Sequence, residues 1–292
     1  MSVQDRGLDH RLTLARPDLA AAGLEGVVRA ARFAPTRPMS CKVPATAIRR
    51  APEAGAEQLD QLLFGEAFDL LETADGWAWG QARRDGYVGH VRLTDLTDPP
   101  SAPTHWVSAL RAYAFERPDI KSPILGLYSL NALVAVEARE GRFARGAGTG
   151  WFVEDQLSPV GQLEADPASI AERFVGAAYQ WGGRESLGLD CSGLTQQALL
   201  ACGRACPRDT DMQAAAGRPL EREDLRRGDL VFWRGHVGMM QDKIRLIHAN
   251  AHHMAVVIEP LSTAVERIGK TETGQPTGYR RMGWDLALDP IG

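Results

Sequence analysis

The sequence lacks an apolar run long enough to cross a membrane. A membrane-spanning helix needs about 20 mainly apolar residues, and the most apolar stretch, residues 124–136, is shorter and contains polar side chains. No apolar segment follows a basic start at the N-terminus, where Asp5, Asp9 and Asp18 interrupt the chain, so no secretory signal is expected. We therefore expect no membrane partner and a cytoplasmic location.

Cysteine and basic clusters are also scarce. Four cysteines in 292 residues are too few for a disulfide framework, and none forms a CxxC pair, which favours a reducing compartment. The formal net charge is −4 and no dense basic block occurs, so nucleic acid is not an expected partner. No short-spaced set of metal ligands is present, and neither a metal nor another cofactor is expected.

The composition is that of a folded protein with more than one domain. Hydrophobic residues make up 44% of the chain and charged residues 24%, both close to globular averages. A chain of this length is expected to divide into two or three cores.

An internal repeat organises the first half of the chain. Pro52 and Trp77 recur as Pro118 and Phe143, each 66 positions later, and Gly86-Tyr87 recurs as Gly150-Trp151 after 64. Short apolar and aromatic runs separated by Gly and Pro turns are typical of small β-barrels. We therefore predict a mostly helical lead-in over residues 1–35, with a helix at 19–31, one barrel over 36–100 and a second over 101–160, joined by a linker at 98–103.

Residues 161–292 have a different sequence pattern, which predicts helices followed by a meander of strands. Asp166-Pro167 is a helix start signal, and a second helix is predicted from Cys191 to about Ala201. Four short apolar runs follow, at 230–233, 237–240, 244–247 and 254–258, with tight turns between the first three. This order predicts an α+β domain with helices packed on an antiparallel sheet.

A cysteine and two histidines in this last domain have the residue types of an activated thiol. Asp190 can cap the helix that begins at Cys191, and the positive helix start is expected to lower the pKa of the thiol. His236 and His248 lie on consecutive predicted strands and can approach each other across the turn between them. This predicts Cys191 as nucleophile, His236 as its base and His248, or alternatively Asn250, as the group that orients the base.

Several short motifs follow one another in this region, in the order Tyr179-Gln180-Trp181-Gly182-Gly183, Leu189-Asp190-Cys191-Ser192-Gly193-Leu194, Arg227-Gly228-Asp229-Leu230-Val231-Phe232, His236-Val237-Gly238 and Ile247-His248-Ala249. They are similar to motifs of the NlpC/P60 family of papain-like cysteine peptidases, and the two upstream repeats are similar to bacterial SH3-like modules. The arrangement resembles that of peptidases that hydrolyse the bond between γ-D-Glu and the diamino acid of murein peptides with a free N-terminal L-Ala. The resemblance implies a role in cell-wall peptide recycling.

The resemblance also implies residues that bind the substrate. An acidic residue and a tyrosine of the first SH3-like module would hold the substrate ammonium, and the matching positions are Glu66 and Tyr87. The stretch around Tyr179 and Trp181 would border the cleft. Asp190 and Ser192 either touch the substrate or serve only as a helix cap and a small first-turn residue.

Two other functions stay open at this point. The same fold could carry a thiol amidase or acyltransferase with another substrate, because fold does not determine substrate. The chain could also be a non-catalytic cell-wall-binding protein, although nothing in that role requires the Cys–His–His set. The sequence leaves the diamino acid and the oligomeric state open.

Overall fold

A computed structural model describes residues 7–100 and 102–283. Residues 1–6 of the predicted lead-in, Ser101 of the predicted linker and residues 284–292 of the predicted last domain lie outside the described residues. None of the described helices is both long enough and apolar enough to span a bilayer.

The segment before residue 36 is extended, so the predicted helical lead-in is wrong where the structure describes it. Two short parallel strands, β1 (Ala20–Ala21) and β2 (Phe33–Ala34), pair with each other. Between them lies a single turn of 3-10 helix at Ala22–Leu24.

Two features of this segment oppose a helix. Gly23 and Gly26 interrupt the alanine-rich stretch, Gly26 adopts a φ of 81°, and glycine weakens a helix by about 1 kcal/mol relative to alanine. In addition, Leu14 and Leu19 are buried against Trp79 of the following unit. Burial of these side chains on a neighbouring surface outweighs local helix propensity.

The first β-unit is one antiparallel sheet of seven strands in the order β5-β4-β8-β7-β6-β3-β9. Its tightest hairpin turns at Asp75 and Gly76, both with positive φ, which matches the twist of the adjoining strands. The buried side chains on its inner face include Ile48, Leu62 and Phe68. The strands are β3 (Arg37–Cys41), β4 (Ala45–Arg49), β5 (Gln58–Leu63), β6 (Ala67–Ala74), β7 (Trp77–Ala82), β8 (Val88–Arg92) and β9 (Leu96–Thr97).

The second β-unit contains a five-stranded sheet, in the order β12-β11-β16-β15-β14, and a three-stranded sheet, in the order β13-β10-β17. Leu63 and Phe64 of the first unit enter its core beside Tyr128 and Phe152. The strands are β10 (His105–Val107), β11 (Arg111–Phe115), β12 (Ile124–Ser129), β13 (Leu133–Val134), β14 (Val136–Glu140), β15 (Phe143–Gly146), β16 (Gly150–Val153) and β17 (Leu157–Pro159).

The repeat seen in the sequence corresponds to a shared succession of elements. Trp77 and Phe143 each begin a strand, β7 and β15. In both units the next strand is followed by a one-turn 3-10 helix, at Leu93–Asp95 and Glu154–Gln156, and then by a short closing strand.

The last unit is α+β, as predicted. Its nine-stranded sheet has the order β19-β20-β18-β25-β24-β23-β22-β26-β21, and the predicted meander is the antiparallel run from β22 to β25. The elements are α1 (Pro167–Arg173), β18 (Ala178–Tyr179), β19 (Arg184–Glu185), β20 (Gly188–Leu189), α2 (Cys191–Ala201), α3 (Thr210–Ala215), β21 (Arg218–Leu220), β22 (Leu230–Trp233), β23 (His236–Met240), β24 (Arg245–Asn250), β25 (Ala255–Pro260), α4 (Leu261–Gly269) and β26 (Gly278–Arg281).

Helix α2 is the centre of this unit, and its bounds are those predicted. Every residue of α2 is buried, and the helix packs against β23 and β24. A helix that is buried on all sides presents no face to solvent. Its packing on the sheet places its first residue, Cys191, next to the start of β23.

Candidate active site

Cys191 occupies the first position of α2. Asp190 is the N-cap: its Oδ1 accepts a hydrogen bond from the Gly193 N–H at 2.7 Å, and its Oδ2 accepts one from the Gly182 N–H at 2.9 Å. The cap therefore joins the start of α2 to the preceding glycine loop and sets the position of Cys191.

The thiol of Cys191 faces the start of β23. Its Sγ accepts a hydrogen bond from the backbone N–H of Val237, the residue after His236. Sγ also lies 3.8 Å from Oγ1 of Thr210. The packing of α2 on the sheet thus brings the predicted nucleophile to the residue that follows the predicted base.

A chain of hydrogen bonds leads from His236 away from the thiol. His236 Nε2 lies 2.9 Å from His248 Nδ1, and His248 Nε2 lies 2.8 Å from Oε1 of Glu259. The guanidinium of Arg267 donates to the same carboxylate oxygen. The predicted pairing of His236 with His248 is present, and Glu259 and Arg267 extend it.

The alternative orienting group, Asn250, has another role. Its Oδ1 accepts hydrogen bonds from the backbone and ring of His253, which stabilises the turn after β24. In this structure His248, and not Asn250, contacts the imidazole of His236.

The electrostatic state of the pair differs from the one expected from the helix start. Burial, and next the nearby Asp190, raises the pKa of the Cys191 thiol to about 11, although the Val237 N–H and Arg208 act in the opposite direction. Burial and the neighbouring His248 lower the pKa of His236 to about 3. The raised thiol pKa contradicts the expected lowering, and the two shifts favour the neutral forms of the thiol and the imidazole.

A cleft with a volume of about 720 Å³ opens above Cys191. Five of the six predicted substrate-binding residues line it, namely Tyr87, Tyr179, Trp181, Asp190 and Ser192. Tyr87 comes from the first β-unit and the others from the last unit, so the cleft lies between two units. The roles of these five residues stay predictions.

Glu66 does not line this cleft, so its predicted role in binding the substrate ammonium is wrong. Its carboxylate is fully buried and lies 3.1 Å from both Arg84 Nε and Arg184 Nη2. It also accepts a hydrogen bond from the Leu63 N–H at 3.0 Å. A buried carboxylate needs charged or hydrogen-bonding partners of this kind. Because Arg84 and Arg184 already pair with it, Glu66 is not available to bind a substrate ammonium.

The lining includes acidic residues that the sequence analysis missed. Asp209 Oδ2 accepts a hydrogen bond from Tyr87 Oη at 3.0 Å. Asp211 lies nearby, and Glu57 accepts a hydrogen bond from Nε1 of Trp181 at 3.1 Å. The acidic pair in the segment RDTDM was a visible signal, but only the fold shows that it faces Cys191.

The N-terminal segment also contributes to the lining, through residues 9–11. The guanidinium of Arg11 lies 2.9 Å from Asp209 and 2.7 Å from Asp211. The segment thus reaches from the first β-unit to the last unit at the mouth of the cleft.

A buried ionic network connects the first β-unit to the helix that carries the thiol. Arg208 donates to Asp190 at 2.7 Å and 3.0 Å and to Asp60 of β5 at 2.5 Å. Arg208 also donates to Ser192 Oγ at 2.9 Å. Asp60, Arg208 and Asp190 are all buried, so the cap of α2 depends on a side chain from another unit.

No group of three or more His, Cys, Asp and Glu side chains within residues 7–100 and 102–283 is arranged to hold a metal ion. Cys191 itself lines the cleft, so a molecule bound there can meet its thiol.

Two protein families match parts of the chain. Residues 48–96 match the bacterial dipeptidyl-peptidase Sh3 domain, and residues 176–267 match the NlpC/P60 family. The first match lies in the first β-unit, and the second spans Cys191, His236, His248 and Glu259.

Curated relatives are similar over different lengths. A γ-D-glutamyl-L-lysine dipeptidyl-peptidase of Bacillus subtilis is 26% identical over 228 residues, covering 70% of this chain and 76% of the relative. A protein of the same name from Bacillus cereus is 33% identical over 122 residues, covering 39% of this chain and 37% of the relative.

A solved structure has a similar overall fold. An NlpC/P60 family protein from Bacillus cereus superimposes with a TM-score of 0.72 at 20% identity, covering 84% of this chain and 99% of that chain. At this identity the likeness concerns the fold, and it extends over the β-units as well as the last unit.

Proposed function

The chain carries a cysteine peptidase domain of the NlpC/P60 family, with the papain-like fold, behind a bacterial SH3 domain, and on this basis we propose its substrate. It hydrolyses the bond between γ-D-Glu and the diamino acid of short murein peptides that have a free N-terminal L-Ala. The observation that carries the proposal is the cleft above Cys191, whose lining from the SH3 domain and from the last unit includes the acidic groups needed to bind an ammonium.

The proposed chemistry begins from a neutral thiol and a neutral imidazole. His236 takes the proton of Cys191 as Sγ attacks the substrate carbonyl, and backbone N–H groups at the start of α2 hold the oxyanion. His236 then gives this proton to the leaving amine, and the acyl group stays on Sγ as a thioester. Water hydrolyses the thioester with His236 as general base.

We assign the substrate ammonium to Asp209 and Tyr87. These side chains already form a hydrogen bond with each other inside the cleft, and Asp209 pairs with the cationic Arg11 in the substrate-free protein. A charge-assisted hydrogen bond contributes about 1.5–3 kcal/mol. This would favour a free amine over an acylated one by about ten- to a hundredfold.

The test compares L-Ala-γ-D-Glu-diaminopimelate with its N-acetylated form, with release of the diamino acid as the readout. Wild type is expected to prefer the free amine by about ten- to a hundredfold, and Asp209→Asn should lose most of that preference. Asp69→Asn is the matched control, because Asp69 pairs with Arg83 in the SH3 domain and does not line the cleft. Equal hydrolysis of both peptides by wild type would contradict the assignment.

The proposal includes a role in recycling murein peptides in the cytoplasm, and an SH3-like character for the second β-unit. Four free, buried cysteines suit a reducing compartment. The matching order of elements in the two β-units supports a common origin. Detection of the protein outside the cell would contradict the cytoplasmic part of the proposal.

A further inference from the structure

We infer that Glu259, held in place by Arg267, is a positioning residue that determines which nitrogen of His236 carries the proton and which one is free to take the proton of the thiol. The inference rests on the proposed function only for the peptide assay below. The positioning acts through four side chains, one each from β23, β24, β25 and α4.

Strand register brings the three acid–base groups to one face of the sheet. His248 is paired with Val257, and Glu259 lies two residues further along β25, so both side chains point the same way. Arg267 of α4 donates a hydrogen bond to Glu259 from the far side. The four side chains thus form one hydrogen-bonded row that begins at His236 and ends at Arg267. These interactions link residues up to 31 positions apart in the chain, and only the meander followed by α4 assembles them.

Glu259 is the acceptor that determines which nitrogen of each histidine donates a hydrogen bond. Although burial alone would raise the pKa of Glu259, its hydrogen bond with His248 and the charge of Arg267 lower that pKa to about 2. An ionised carboxylate only accepts hydrogen bonds. His248 must therefore carry its proton on Nε2, and in its neutral form its Nδ1 is an acceptor.

The same reasoning fixes the state of His236. Its Nε2 lies 2.9 Å from the acceptor Nδ1 of His248, so Nε2 carries the proton and Nδ1 has the free lone pair. Nδ1 is then the nitrogen that takes the proton of Cys191. Without Glu259, His248 could adopt either tautomer, and His236 would lose this constraint.

Charged and titratable groups near His248 come from each element packed around it. They are His236 on β23, Glu259 on β25, Arg267 on α4 and His253 in the turn after β24. Among them Glu259 is the group that can only accept, and Arg267 donates to the oxygen that His248 uses. Arg267 therefore keeps that oxygen directed at His248.

The experiment measures two properties that need no peptide substrate. One is the tautomer of His236, read from nitrogen NMR of the imidazole rings. The other is the rate at which iodoacetamide alkylates Cys191 between pH 6 and pH 8. Mass spectrometry identifies the alkylated residue. Wild type is expected to show His236 protonated at Nε2.

Three variants separate positioning from a loss of folding. Glu259→Ala should give mixed tautomers of His236 and lower both alkylation and kcat by at least about tenfold, with KM within about twofold. Glu259→Gln keeps an oxygen that Arg267 holds toward His248, so it should retain the tautomer and fall between Glu259→Ala and wild type. Glu266→Gln, on the exposed side of α4, should match wild type.

The inference is overturned if Glu259→Ala keeps the Nε2–H tautomer, or if its alkylation rate stays within about twofold of wild type. It is also overturned if Glu259→Gln loses as much as Glu259→Ala. If tautomer and alkylation change as expected but wild type does not cleave the murein peptide, the proposed substrate fails and the positioning role of Glu259 stands.

Discussion

At the scale of single residues, the balance between a helix dipole and burial sets the state of the nucleophile. A helix start stabilises a nearby anion by about 0.3–1 kcal/mol, and by up to about 2 in favourable sites. Raising the thiol pKa from 9.0 to about 11 corresponds to about 3 kcal/mol in the opposite direction. Burial therefore outweighs the helix start and favours the neutral thiol.

Substitution of the nucleophile should abolish activity while the fold is retained. Cys191→Ala is expected to lower kcat by at least about a thousandfold, and His236→Ala by a similar factor because the thiol loses its base. His248→Ala should lose less, about ten- to a hundredfold, since water can replace part of an orienting group.

The measurement is release of the diamino acid from the tripeptide, with circular dichroism to confirm folding. Cys41→Ala is the control, because Cys41 is buried in the core of the SH3 domain and should not affect kcat. A Cys191→Ala enzyme with a tenth of wild-type kcat would refute the assignment of the nucleophile.

The lowered pKa of the half-buried His236 should make the free energy of unfolding depend on pH on the acid side of neutrality. Its pKa is about 3 when folded, lowered mainly by burial from a value of 6.5. Between these values the unfolded chain binds more protons, so the contribution of His236 to stability is complete above pH 6.5 and is lost as the pH falls toward 3.

Urea denaturation between pH 7.5 and 4.5 tests this expectation. Wild type should lose stability below pH 6.5 more steeply than His236→Gln, by up to about 1.4 kcal/mol per pH unit. Parallel stability curves for the two proteins would show that His236 is not buried as a neutral group.

At the scale of elements, the position of α2 depends on a strand of another unit. Asp60 on β5 contacts Arg208, and Arg208 holds Asp190, which caps α2. A buried charge without its partner is costly, whereas a surface pair contributes little. The SH3 domain is therefore part of the support of the catalytic helix as well as a wall of the cleft.

Removal of Asp60 should destabilise the protein strongly. Asp60→Ala removes one of the two carboxylates that pair with the buried Arg208. We expect this change to lower the free energy of unfolding by about 3–5 kcal/mol. Asp69→Asn breaks the partly exposed ion pair with Arg83 in the same domain and should cost less than about 1 kcal/mol. Equal effects in tryptophan-monitored denaturation would rule out a structural role for the Asp60–Arg208 contact.

At the scale of the whole molecule, three parts of the chain surround the cleft. The N-terminal segment supplies Arg11, the SH3 domain supplies Glu57 and Tyr87, and the last unit supplies the thiol. Under the proposed function, the acidic groups of this cleft favour a peptide with a free amine over one whose N-terminal nitrogen is an amide.

Intact murein should therefore be a poor substrate. Its L-Ala nitrogen is an amide and cannot form the charge-assisted hydrogen bond with Asp209, so we expect release of peptides from purified sacculi to be about ten- to a hundredfold slower than hydrolysis of the free tripeptide. Chromatography of both reactions at equal bond concentration measures this ratio. Similar rates would contradict the selection of a free N-terminus.

Local signals in the sequence were sufficient for much of the active site. The Asp190 cap, the extent of α2 and the four strands that follow were predicted, because caps, turns and apolar runs act over a few residues. His236 and His248 were paired correctly, since a single turn separates their strands and period-2 alternation puts both on one face.

The tertiary structure decided what depends on distant parts of the chain. It buried Leu14 and Leu19 on Trp79 in place of the predicted helix, and it enclosed Glu66 between two arginines. It also brought Asp209 to Tyr87 and Glu259 to His248. The local sequence pattern determines whether a segment forms a helix or a strand. Burial and charged partners arise only when separate elements pack together. Burial and charged partners determine the pKa of the thiol and the polar groups that line the cleft.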